Sequence, residues 1–218
     1  MENKSLHRSR QRMYRLLSRL YVLEVDQELL SGLRQIQCPA QCPNEEMAEG
    51  YRMMAEYLKD SQGKENQEVL DDLAVDYARI FLSAGVAQGK AAFPYESVYT
   101  SKKHLMMQDS RNEVVALYAA RGVAPSREMY RVPEDHLGLL LEYMALLCQE
   151  WAQAEEPGGA GALAAEQAAF LKDHLNNWVP AFAGEVQKYA GTDFYKGLAR
   201  LTRGFLMAEK ELVSGLEV

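Results

Sequence analysis

Apolar residues recur at helical spacing along nearly the whole chain. Over residues 5–24, Met13, Leu16, Leu17, Leu20 and Leu23 predict a helix with one buried face, and Arg8, Arg10, Arg12, Arg15 and Arg19 mark the opposite face. Such a basic face is either the solvated side of a bundle helix or a membrane-surface contact. Asp26 is placed to cap a short second helix carrying Leu29, Leu30 and Leu33, which Pro39 and Pro43 close. Asn44 caps a third, with Met47, Tyr51, Met54 and Leu58 on its stripe, and residues 60–64 break it. Leu70, Leu73, Tyr77, Ile80 and Phe81 mark a fourth helix that stops near Gly85.

The second half repeats the pattern with two interruptions. Helical spacing runs over 105–121 through Leu105, Val114, Leu117 and Tyr118, and ends at Gly122 and Pro125. From 137 onward Leu137, Leu140, Leu141, Met144, Cys148 and Trp151 form the clearest stripe in the sequence. Residues 156–161, rich in glycine, predict a flexible hinge. Leu163, Phe170, Leu171, Leu175 and Trp178 follow, with Pro180 as a kink or boundary. Thr192 caps a last helix carrying Phe194, Leu198, Leu201, Phe205 and Leu212. Strand alternation and internal repeats are missing. The expectation is an all-α, single-domain bundle of about eight to ten helices spanning residues 1–218.

Composition narrows the classes. The 218 residues are 48% hydrophobic and 25% charged, the balance of an ordinary globular protein. A net charge of −7 argues against general nucleic-acid binding. Cys38, Cys42 and Cys148 are too few and too oddly spaced for a disulfide framework, and the Cys38/Cys42 pair lacks the further ligands of a structural zinc site. With no apolar leader at the N-terminus and no run long enough to span a bilayer, the sequence predicts a cytoplasmic protein without stable membrane insertion.

Two stretches stand apart from the helical pattern. In Phe93-Pro94-Tyr95-Glu96-Ser97-Val98-Tyr99, large aromatic residues sit on a proline-broken loop that must pack against something or bind something. In Pro133-Glu134-Asp135-His136, acids and a histidine stand at the mouth of the 137–151 helix. Proline and acids suit a first helical turn, which gives Pro133, Glu134 and Asp135 a structural explanation. His136 has none of that kind, because a cation there is disfavoured and the imidazole is held neutral. An Asp135/His136 acid–base pair is the enzymatic alternative, a helical hydrolase, although neighbours on a helix point about 100° apart. The sequence carries no metal-binding, phosphate-binding or nucleophile-elbow motif.

Pro133-Glu134-Asp135-His136 resembles the Glu-Pro-Asp-Asp-His signature of the TorD/DmsD family of redox-enzyme maturation chaperones. Asp76-Tyr77-Ala78-Arg79-Ile80-Phe81 resembles the family's aromatic-x-x-Leu-Phe segment, and Pro94-Tyr95-Glu96-Ser97-Val98-Tyr99 its Pro-Tyr-x-Ser-x-Tyr loop. The tail, from Phe170 through His174, Trp178, Pro180 and Phe182 to Phe194 and Leu198, follows the family's C-terminal pattern. Val132 stands where the family usually has glutamate, and Glu134 replaces the first aspartate.

The resemblance implies an all-helical chaperone without catalysis or cofactor, either a monomer or a homodimer, domain-swapped in some members. It implies binding of the twin-arginine signal peptide and precursor of an anaerobic molybdenum reductase or dehydrogenase until cofactor is loaded. Weak guanine-nucleotide binding has been proposed for some members, and no phosphate loop here matches it. Two guanidiniums followed by an apolar stretch call for carboxylates beside a hydrophobic groove. Glu96, Glu134, Asp135 and His136 are the candidate polar contacts, and Tyr77, Ile80, Phe81, Phe93, Pro94, Tyr95, Tyr99, Pro133 and Leu137 the candidate walls. For Tyr77, Ile80 and Phe81 plain core packing is the favoured reading, since their spacing alone predicts it.

Overall fold

The computed structural model describes residues 2–35, 38–82, 84–85, 89–126, 131–153 and 157–215. Among these it contains ten α-helices and no strand, so the all-α expectation holds. The helices are α1 (Glu2–Val22), α2 (Gln27–Leu33), α3 (Glu45–Asp60), α4 (Asn66–Phe81), α5 (Glu96–Thr100), α6 (Asp109–Ala120), α7 (Leu137–Gln153), α8 (Pro157–Phe170), α9 (Val179–Tyr189) and α10 (Asp193–Ser214). The chain forms two compact units. The first comprises Met1–Val22, Pro94–Trp178 and Glu209–Val218, and the second Leu23–Phe93 and Val179–Ala208.

In the first unit α7 is the central element. Leu137, Leu139, Leu140, Leu141, Tyr143, Met144, Leu147, Cys148 and Trp151 are all buried, so the helix is covered nearly all round. Helix α1 lies along it. Gly138 permits the approach, since a Cβ there would stand 2.1 Å from Val22 Cγ2 and 3.1 Å from the Ser18 carbonyl oxygen. Of the expected stripe Leu17 and Leu20 are buried, joined by Tyr14 and Tyr21, while Met13 and Leu16 are half-buried and Leu23 is exposed. Arg10 departs most from expectation. It leaves the solvated basic face to Arg8, Arg12 and Arg15 and is buried, with Nε 2.9 Å from both carboxylate oxygens of Glu209.

Three boundaries also differ. Helix α6 begins at Asp109, leaving Leu105 exposed in the preceding loop, and Leu117 lies on its open side. Glu156 of the expected hinge lies outside the described residues, and the backbone is helical from Pro157 onward. A proline suits such a first turn, where its missing N–H has no intrahelical partner to lose. Leu171–Leu175 forms a π-helical turn directly after α8.

In the second unit the caps fall where the sequence places them. Asp26 accepts from the Leu29 N–H and Asn44 from the Met47 N–H. Thr192 Oγ1 accepts from Tyr195 N–H at 3.4 Å, and Asp76 receives the N–H groups of Gly191 and Thr192 at 3.0 and 2.7 Å. A buried carboxylate thus holds the entry to α10.

Helices α3 and α10 cross backbone to backbone. A Cβ at Gly50 would lie 2.4 Å from Leu201 N and 2.7 Å from Gly197 O, and one at Gly204 would lie 2.4 Å from Met47 N. These neighbours are main-chain atoms and cannot rotate away. Gly50→Ala is therefore expected to lower unfolding free energy by about 1–3 kcal/mol or more, despite alanine's better helix propensity. Gly184 in α9 has nothing within 4 Å, so Gly184→Ala should raise stability by about 0.5–1 kcal/mol. Urea denaturation of the two variants beside the parent measures both signs.

Candidate functional site

The two unusual stretches meet inside the first unit. Tyr95 and His136 form an isolated antiparallel bridge. Glu96 N–H donates to the Asp135 carbonyl at 3.0 Å, and Leu137 N–H donates to the Pro94 carbonyl at 2.8 Å. Two loops about 40 residues apart are thereby zipped at the start of α7.

Side chains lock the same junction. Asp135 is wholly buried, and its Oδ2 accepts from the Ser97 N–H at 3.0 Å and from the Ser97 hydroxyl. Its Oδ1 is buried with no hydrogen-bond partner among the described residues. His136 Nδ1 accepts from the Gly138 N–H at 3.0 Å, so the imidazole caps α7. That contact gives His136 the structural role that sequence patterning left open. It also fixes Nδ1 as the unprotonated nitrogen. Burial pushes the ring's pKa down to about 3, so the neutrality expected from the helix terminus is reached mainly by desolvation. The Tyr95 ring stands edge-on to this imidazole at 5.0 Å between centroids. Because Asp135 turns to Ser97 and His136 to Gly138, the two do not form a dyad.

Glu96 is also buried. Its carboxylate faces His174 Nδ1 at 3.1 Å, on the π-helical turn, and Asn177 Nδ2 at 3.5 Å. Burial raises its pKa against the lowering pull of His174. Tyr99 stacks on Trp178 with centroids 5.3 Å apart. Residues 94–99 are thus held on one side by the start of α7 and on the other by the turn after α8. Ser97, Asn177 and Trp178 were not among the expected site residues. Their contacts span 38 to 81 positions in the chain, which local patterning does not report.

Glu134 behaves differently from its neighbours. It is partly exposed and pairs with Arg111 Nε at 2.6 Å through Oε2. It also lines a cavity of about 440 Å³ with Met107, Pro125, Arg131, Val132 and Pro133. Beside it, residues 105–107 expose Leu105, Met106 and Met107, and the loop turns on positive φ angles at His104 (51°) and Met107 (60°).

The remaining expected residues belong to the second unit. Tyr77, Ile80 and Phe81 are buried there. Phe81 packs on Tyr77, Tyr195 and Phe182 with centroids 5.2, 5.6 and 6.0 Å apart. Their spacing therefore reports core packing within that unit. Phe93, at its edge in sequence, is half-buried.

Among the described residues there is no cluster of three or more metal-ligating side chains. No described helix is long and apolar enough to cross a membrane.

The sequence profile of the family described as nitrate reductase delta subunit matches residues 43–184. The chain is also similar to proteins described as chaperone protein TorD. One from Vibrio cholerae serotype O1 (strain ATCC 39315) is 28% identical over 99% of this chain and 96% of its own length. One from Shewanella pealeana is 29% identical over 93% of this chain and 88% of its own. One from Vibrio vulnificus (strain YJ016) is 24% identical over 98% and 99%.

Proposed function

Because the chain belongs to the nitrate reductase delta subunit family, a family of TorD-like chaperones rather than enzymes, we propose that it binds the twin-arginine signal peptide of a molybdenum-enzyme precursor in the cytoplasm. Binding would hold the precursor of an anaerobic reductase or dehydrogenase until its cofactor is loaded and so prevent premature export. The observation that carries this reading is the bridge between Tyr95 and His136. It joins, within one unit, the two stretches that resemble the family's loop and signature. The junction adjoins a carboxylate, Glu134, and an apolar wall of Val132, Pro133 and Met107. Such a pairing suits a guanidinium followed by apolar side chains.

The hydrolase alternative loses its basis. Asp135 and His136 are each committed to a different neighbour, and the imidazole's remaining basicity is suppressed by burial.

Titration calorimetry against a panel of twin-arginine signal peptides tests the proposal. At least one is expected to bind with micromolar or tighter affinity. Asp135→Ala and His136→Ala should weaken that binding while the protein stays folded. If no peptide of the panel binds and no reductase precursor co-purifies from anaerobically grown cells, the reading is wrong.

A further inference from the structure

Given the peptide-binding reading, on which this rests, we infer that Asp135 and His136 are positioning residues and that Glu134 is the carboxylate that meets the ligand. Asp135 has no exposed surface, and Glu96 and His136 are 1% and 3% exposed. None of the three offers a peptide a face to touch. What each does offer is a bond to another part of the junction. Asp135 anchors the start of α5 through the Ser97 N–H and hydroxyl, and its own carbonyl takes the Glu96 N–H. His136 caps α7 through Gly138 and supports the Tyr95 ring. Glu96 ties the same short helix to His174.

Glu134 is next in sequence and opposite in character. Its side chain is 19% exposed and lines the cavity. Arg111 bonds Oε2, and no hydrogen bond to Oε1 is made among the described residues. A guanidinium already seated on this carboxylate demonstrates the chemistry it accepts. Charge within the cavity wall is mixed, since Arg131 lines it too. A single open carboxylate oxygen therefore receives one guanidinium rather than two.

The two roles separate under conservative substitution. An asparagine at 135 loses the charge but keeps an oxygen that accepts from Ser97. As a positioning residue, Asp135→Asn should leave peptide affinity within about threefold, while Asp135→Ala weakens it about tenfold or more. Ser97→Ala, which removes one of the two bonds, should weaken binding on its own and add little on top of Asp135→Ala. Amide exchange at Glu96 and Ser97 should accelerate in Asp135→Ala and Ser97→Ala but not in Asp135→Asn. Glu134→Gln should weaken binding and flatten its salt dependence, whereas Asp135→Asn leaves the salt dependence as in the parent.

The test is calorimetry of these variants with a signal peptide that binds the parent, at two salt concentrations, with hydrogen exchange alongside. Should Asp135→Ala not fold, Asp135→Asn and Ser97→Ala carry the comparison. Equal losses in Asp135→Asn and Asp135→Ala, with Ser97→Ala silent, would mean direct contact by the Asp135 charge and overturn the inference. A parent protein that binds no peptide overturns the peptide-binding reading itself and this role with it.

Discussion

Replacing Arg10 by alanine is expected to destabilise the protein by about 3–5 kcal/mol, read as a lower urea midpoint with little change in slope. The side chain is 3% exposed and its guanidinium is almost fully used. Nε bonds both oxygens of Glu209 at 2.9 Å, one terminal nitrogen reaches Glu209 Oε2 and Gln167 Oε1 at 2.6 Å each, and the other meets His7 Nδ1 at 2.9 Å. Tyr14 donates to the same carboxylate at 2.7 Å. Alanine would leave Glu209 charged and buried with only the tyrosine hydroxyl, and would strip His7 and Gln167 of a donor. The size of the loss comes from that abandoned carboxylate more than from the pair's own attraction. The combined Arg10→Met, Glu209→Leu variant should accordingly lose less than Arg10→Ala alone. A larger loss in the double variant would mean that the pair itself, and not the stranded charge, dominates.

This cluster also marks where sequence patterning stops. Arg10 sits on a helix whose arginines recur as a basic face, and nothing local separates it from Arg8 or Arg12. Its partner is 199 positions away on α10. Leu23 fits the apolar stripe yet is exposed, because the helix ends at Val22 and the stripe's last position falls beyond it. The caps were legible for the opposite reason. Asp26, Asn44 and Thr192 act on N–H groups three positions ahead, within the reach of the local sequence.

The candidate site divides the same way. That Pro133 and the acids open a helix, and that residues 93–99 must pack or bind, follows from residue types alone. That Asp135 seeks Ser97 and Glu96 seeks His174 does not, since those pairs form only once α7 and the π-helical turn are in place. Tyr77, Ile80 and Phe81 show the limit from the other side. Their spacing was compatible with a core or a groove wall, and the rings settle against Tyr195 and Phe182 in their own unit. His136 is the most instructive residue, because its chemistry reads as functional and its Nδ1 accepts from the N–H two residues on.

Lowering the pH from 7 to 5 is expected to remove about 3–4 kcal/mol of stability, through His7 and His136 together. Both are buried, and their pKa values fall from the ordinary 6.5 to about 4 for His7 and about 3 for His136. Burial is the main cause for each, and for His7 the Arg10 guanidinium adds to it. His7 is further sandwiched on Trp151 at 4.4 Å. A proton on its Nδ1 would face the Arg10 donor, and one on the His136 Nδ1 would face the Gly138 N–H.

With folded pKa values below the unfolded one, the unfolded chain binds more protons between them. Stability is therefore complete above about pH 6.5 and is lost as pH falls, by up to about 1.4 kcal/mol per unit for each ring. The His7 contribution levels off near pH 4 and that of His136 near pH 3. Glu96, whose pKa burial raises, acts with the opposite sign and offsets part of the histidine loss as pH falls.

Urea titrations at pH 7, 6 and 5 measure the slope. His136→Asn, which keeps an acceptor for Gly138, and His7→Phe, which keeps the stacking on Trp151, should each remove about half of it. A stability that stays level down to pH 5 would mean that both rings take up protons as freely in the folded chain as in the unfolded one. The locked junction at the start of α7 would then be open to water, and the positioning role of His136 would fall with it.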